Sequence, residues 1–280
     1  MFETTVLLAT TVVLGAFLVE FAIRREVAPF VVFWRGWTVT AGRLWTDPAA
    51  FLQVFSLFAV GWIIQEYFVR HPLSSVVGLT AASVLWQAAM SVLLALCAAR
   101  FHLSIVGGLF ADAGMGSITL PQFRKIAAKV ALVGGALWLF IYVFTVVSNL
   151  IVWHSPAQLI SASAISAAVL CQLLLAPFAL IRPAIACGAK QPVANALRLA
   201  MQHIPLLLAV VVLMAASAFA IEFGLGLFQA LWGSNVLAQV IAAACIVIFS
   251  VFQFFAYEAA TLIVLRDAVR ATTGEQCGVV

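Results

Sequence analysis

Two carboxylates of this chain, Glu258 and Glu222, fall inside long apolar stretches. An ionisable group at membrane depth is costly enough to be a functional candidate by default. Glu258 stands eight residues before Arg266, about 12 Å along a helix, and so two turns inside the carboxyl end of its stretch. Facing a helix bundle rather than lipid, it could relay a proton, hold a cation or anchor a partner. The structural alternative is a pair with a basic residue such as Arg182 or Lys129, or a protonated carboxyl bonded to a neighbour. Glu222 lies near the outer end of its stretch, where interfacial water can solvate it. The remaining acids have blander roles. Glu20 with Arg24 and Glu66 with Arg70 make i,i+4 pairs at span ends, and the rest fall in loops, interfaces or the tail.

Amides add a weaker polar signal. Gln87, Asn149, Gln172, Gln239 and Gln253 lie within apolar stretches. Each can make a helix–helix hydrogen bond worth about 0.6 kcal/mol, or several can line a polar cavity. Gln87, Gln172 and Gln253 therefore join Glu258 as a candidate intramembrane polar site. Enzyme signatures are missing. His71, His102, His154 and His203 are scattered and make no H-E-x-x-H, and there is no G-x-S-x-G, Walker A or dinucleotide fingerprint. No metal site and no cofactor is expected. The five cysteines are odd in number and include no C-x-x-C pair, the pattern of free thiols. Gly107–Gly116 is glycine-rich, but without a preceding strand it is expected to be a flexible linker rather than a phosphate cradle.

The elements that would hold these groups follow from composition. Of 280 residues, 65% are hydrophobic and only 9% charged, against about 25% charged in soluble domains. Lipid must therefore be the main solvent. The net charge of +4 is dispersed between apolar runs rather than gathered in a stripe, so no nucleic-acid partner is expected. Runs of about 20 apolar residues, the length that crosses a bilayer, occur at 5–23, 49–69, 75–99, 129–152, 158–181, 204–222 and 236–265. The expected fold is all-α: a polytopic transmembrane bundle of about seven spans, with an anchor at 1–27, a six-helix bundle at 28–270 and a tail at 271–280. The first run has its positive pair, Arg24-Arg25, after the apolar stretch, the reverse of a cleavable signal.

Assigning the gaps alternately puts thirteen of the fourteen Lys and Arg on one side and only Arg70 on the other. The positive-inside rule makes the rich side cytoplasmic, the N-terminus external and the C-terminus cytoplasmic. Asp47-Pro48 and Ser155-Pro156 read as helix starts. Pro177 should kink the fifth span, and Trp153 and Trp232 fall near the outer boundaries.

The last six spans read as three hairpins, each preceded by an amphipathic cytoplasmic segment. In the first, Trp34, Trp37, Ala41, Leu44 and Trp45 share a face, with Arg35, Arg43 and Thr46 elsewhere. In the second, Phe123, Ile126, Ala127 and Val130 oppose Arg124, Lys125 and Lys129. In the third, Val193, Leu197, Ala200 and Ile204 oppose Asn195, Arg198 and Gln202. Helices of this pattern lie in the interface plane with cations on the lipid headgroups. Arg35, Arg43, Arg124, Lys125, Lys129 and Arg198 are thus candidate headgroup contacts. The alternative is that each segment simply extends the following span.

Arg182-Pro183-Ala184-Ile185-Ala186, Pro192 and Ala196-Leu197-Arg198 lead into an apolar span, and Tyr257-Glu258-Ala259-Ala260 and Leu265-Arg266-Asp267 close the last one. Over 180–270 this resembles the membrane domain found ahead of some glycerophosphoryl diester phosphodiesterases, and related uncharacterised six-helix bacterial membrane proteins. The resemblance implies a bundle in the bacterial inner membrane. Ala200 stands where such proteins often place a serine, and no catalytic domain is expected after Val280, so phosphodiesterase activity is not implied. The expected function is a non-enzymatic membrane component that organises lipid or serves an envelope assembly as an accessory subunit. Its partners would be membrane lipids and a membrane-protein partner or a second copy. The alternative is a transporter or permease component working through Glu258 and the amides.

Overall fold

Apolar side chains that cannot be sheltered from water, joined to a backbone that must satisfy its own hydrogen bonds, leave the helix as the available element. A computed structural model describes residues 28–70, 76–109, 119–149, 176–189, 191–232 and 236–277, and no strand occurs among them. The helices are α1 (Ala28–Thr46), α2 (Pro48–Arg70), α3 (Val76–Leu109), α4 (Leu120–Asn149), α5 (Ile181–Ala186), α6 (Pro192–Gln202), α7 (Ile204–Trp232) and α8 (Val236–Cys277). The expected first span and most of the fifth lie outside the described residues. Among those residues, Leu237–Ala271 is long and apolar enough to cross a membrane. Two broken pairs, Pro29–Thr46 with Pro48–Gly61 and Pro192–Gln202 with Ile204–Ser217, reach the same standard when each counts as one span.

Local chemistry sets the boundaries. Pro48 opens α2, where its missing N–H costs nothing. Thr119 precedes α4, and its backbone N–H and hydroxyl both donate to Gln122 Oε1, at 3.3 and 3.0 Å, the returning half of a capping box. A 3₁₀ turn at Ala176–Phe178 takes up Pro177, where the kink was expected. After α5, Gly188 adopts φ 68°. Its N–H donates to Ile185 O while that of Ala189 reaches Ala184 O, a Schellman closure that favours glycine.

The chain divides into two compact units, one of residues 1–46 with 201–280 and the other of 47–200. In the first, α1 packs on both α7 and α8, and α7 packs on α8. A close approach of α1 to α8 is at Gly36. A Cβ there would lie 2.5 Å from Ala256 O and 3.2 Å from Ala260 Cβ, so glycine facing two alanines lets the backbones meet. One residue on, Trp37 packs its ring on Phe249 at 5.5 Å. In the second unit α3 lies along both α2 and α4. Phe51 meets Phe101 edge-to-face at 6.1 Å, and the fully buried His102 lies against Phe123 at 5.6 Å. His102 Nδ1 is 3.0 Å from Ala98 O.

Two expectations need correction. The second amphipathic segment is not a separate helix: α4 runs unbroken from Leu120 to Asn149, because nothing between Lys129 and Val130 interrupts its hydrogen bonds. The first and third segments are separate helices, ending at Thr46 and Gln202. Gly107 and Gly108 are not linker, since α3 continues to Leu109, anchored by buried Phe101, His102, Ile105 and Val106. The side of α1 buried in the protein is Pro29, Val32, Gly36 and Thr40, while Trp34, Ala41 and Trp45 of its apolar face are exposed. Small residues, not the largest apolar ones, make its packing face. In α6 likewise the buried residues are Ala196, Leu199 and Ala200, with Val193 exposed.

Gly36→Ala should separate α1 from α8 and lower stability by about 1–3 kcal/mol, read as a fall in Tm of the detergent-purified protein. Gly42→Ala, where a Cβ meets nothing within 4 Å, should instead hold stability or raise it by up to about 1 kcal/mol, read as an unchanged or higher Tm.

Candidate functional site

The positions of the cations are set by helix starts and ends. Asp47, just before α2, pairs its Oδ2 with Arg100 Nε of α3 at 3.0 Å. Arg124, in the first turns of α4, lies within Coulomb reach of Cys97 on α3. The start of α2, the Cys97–Arg100 turn of α3 and the start of α4 therefore gather at one end of the second unit. On α8, Arg266 binds its neighbour Asp267 at 2.7 Å. The six cations expected at headgroups are different. Arg35, Arg43, Arg124, Lys125, Lys129 and Arg198 have no ion-pair partner among the described residues, and all but the half-buried Arg43 are exposed.

The surface beside them is apolar. On α4 one exposed stripe runs Gln122, Lys125, Lys129, Val133, Ala136, Phe140, Val143 and Val147, in the steps of three and four that keep one helix face. Its lower part is polar and cationic; its upper part is entirely apolar, with Val133 71% and Phe140 70% exposed. The apolar part covers about 21 Å. On α1, Trp34 is 66% and Trp45 85% exposed, beside Arg35, Thr38 and Thr46 on the outer side. Tryptophans there carry an apolar ring and a polar N–H, suited to a water–lipid boundary.

Glu258 has a different setting. On α8, every residue from Phe255 to Leu265 is buried apart from the half-buried Tyr257, and Glu258 is 1% exposed. Thr261 next to it turns its hydroxyl back to Glu258 O at 2.9 Å. Gln253 does not join Glu258. Five residues separate them, about 140° around a helix, and Gln253 Nε2 donates instead to Met214 O of α7 at 2.6 Å. It clamps two helices. Gln172 lies outside the described residues, and the side chains of Gln87, Asn149 and Glu222 are not among those described. Gln239 is exposed.

Sequence reasoning missed three polar features. Arg100 and Asp47 lie 53 positions apart in the chain, and nothing local pairs them. Thr119-x-x-Gln122 does carry a capping-box signature and was legible. Trp37 Nε1 and Thr40 Oγ1 are buried with no hydrogen-bond partner among the described residues, a property of the packed state alone. Cys97, Cys187 and Cys245 carry free thiols. Among the described residues no group of His, Cys, Asp and Glu could hold a metal ion. Comparison with protein-family models, with curated proteins and with solved structures finds no match to this chain.

Gln253→Leu should lower stability by only about 0.6 kcal/mol, since Met214 O keeps a bond from Ser217 Oγ at 2.7 Å; a small shift in Tm is the readout. Burial pushes the Cys187 thiol up to about 12. Its thiolate is suppressed in the folded protein, so its contribution to stability holds below its unfolded value and is lost as pH rises through the alkaline range. At pH 8 Cys187 should react with a permeant maleimide roughly a thousandfold more slowly than an exposed thiol, and at the ordinary rate after unfolding in dodecyl sulfate.

Proposed function

We propose that this chain is a non-enzymatic multi-pass membrane component that organises lipid along a cationic margin, as an accessory subunit of an envelope assembly in the bacterial inner membrane. In this reading it spans the bilayer seven times, with the N-terminus outside and the C-terminus in the cytoplasm. The observation that carries it is the coincidence of exposed apolar helix faces with cations that lack acidic partners among the described residues. A cation near an anionic leaflet gains about 1 kcal/mol, while one paired within the protein has already spent that attraction. The likeness of 180–270 to the phosphodiesterase-linked membrane domain is compatible with this reading, since it implies a bundle in the bacterial inner membrane. The transport alternative needs Glu258 and the amides on one path, and Gln253 is engaged elsewhere.

The test compares purified protein in nanodiscs of anionic and of zwitterionic lipid, alongside ion and proton flux in proteoliposomes. The expected outcome is a higher Tm in anionic lipid and no flux above empty vesicles, with Glu258→Gln indistinguishable from the parent in both. A flux that disappears in Glu258→Gln, at unchanged Tm, would replace this proposal with the transport one.

A further inference from the structure

We propose that the outer stripe of α4 is a binding site for one anionic phospholipid, with Lys125 and Lys129 on the phosphate and Val133, Ala136 and Phe140 along an acyl chain. The inference rests on the reading that the exposed apolar faces meet lipid, and it assigns one face, one headgroup charge and one set of residues.

The two lysines are four residues apart, about 6 Å along the axis and 40° around it, so both ammonium groups can reach one phosphate. Both are exposed, and neither has an acidic partner among the described residues. Val133 lies one turn beyond Lys129 on the same side, followed by Ala136 and Phe140, all exposed. The polarity thus switches once, within a single turn, from cation to hydrocarbon. That order matches a phospholipid laid along the helix, phosphate first and chain after. Lysine stems are apolar and flexible and can hold the charge at the boundary while lying on the surface.

Charge decides which lipid. A zwitterionic headgroup would bring its own cation beside two ammonium groups, and no carboxylate of the described residues is paired with either lysine to receive it. A headgroup of net charge −1 meets only attraction. Arg124 is excluded from the site by its position, about 100° away from Lys125 on the helix and beside Cys97 of α3.

Full-length protein in mild detergent is titrated with dioleoylphosphatidylglycerol or dioleoylphosphatidylcholine, and bound lipid is counted by native mass spectrometry. At about 1 kcal/mol for each cation, two lysines give a preference for phosphatidylglycerol of roughly thirtyfold. Lys125→Gln with Lys129→Gln should abolish the preference and leave the lipid-free Tm unchanged, because both side chains are exposed and neither has an ion-pair partner among the described residues. Val133→Asn should weaken retention while keeping the preference for the anionic head. Gly42→Ala serves as the control variant, and 0.5 M NaCl should reduce the preference in the parent. Equal retention of the two lipids, or a preference that survives the double variant, overturns the site while leaving the wider lipid-organising proposal standing. Competition by millimolar inorganic phosphate also overturns it, since a free anion would then suffice. Retention of neither lipid above detergent exchange defeats both proposals.

Discussion

Hydrocarbon solvates apolar side chains and rejects bare charge, and water does the opposite. A chain with 65% hydrophobic and 9% charged residues must therefore sort its few charges to places where water, a counter-charge or a protein interior receives them. Each of these solutions occurs here. Arg100 and Arg266 are met by Asp47 and Asp267. Glu258 is enclosed by α8 and its surroundings. Lys125 and Lys129 stand at the exposed foot of an apolar stripe. The same sorting explains why α4 changes character within one turn without any break in its backbone.

Packing in the first unit follows a second rule that lipid imposes. Between helices already in an apolar solvent, burying more hydrocarbon gains little, and close backbone approach matters more. The contact of α1 with α8 is built on Gly36 against Ala256 and Ala260, with Trp37 and Phe249 filling the space alongside. The largest side chains of α1 are left outside. In a water-soluble protein Trp34 and Trp45 would be expected in the core; here their exposure is consistent with a solvent that accepts them.

Much of this was legible from residue order alone. Helical class follows from the length of the apolar runs, the enclosure of Glu258 from its position well before Arg266, and the helix-clamping role of Gln253 from the habits of intramembrane amides. The break before Pro48 and the irregular turn at Pro177 follow from proline chemistry. Facing was less legible. The apolar face read on α1 is the one expected to meet lipid; the side buried in the protein, Pro29, Val32, Gly36 and Thr40, carries no run of large apolar residues for a helical wheel to find. The continuity of α4 was hidden because a cationic segment followed by an apolar one reads equally as two helices or one. The Asp47–Arg100 pair joins residues far apart in the chain and depends on α2 and α3 folding against each other, which no local window contains.

The 42 residues of α8 form one unbroken helix, about 63 Å long and twice the thickness of a bilayer's hydrocarbon layer. Its exposed apolar residues Leu237, Val240, Ile241 and Ile248 lie in the amino-terminal third, while Phe255 to Leu265 are enclosed. A rod hydrogen-bonded from end to end turns as one lever. Tilting it by about 10° about its amino end carries the carboxyl end through about 11 Å. Any displacement of its amino-terminal third is therefore carried along one axis to Glu258 and the residues beyond it.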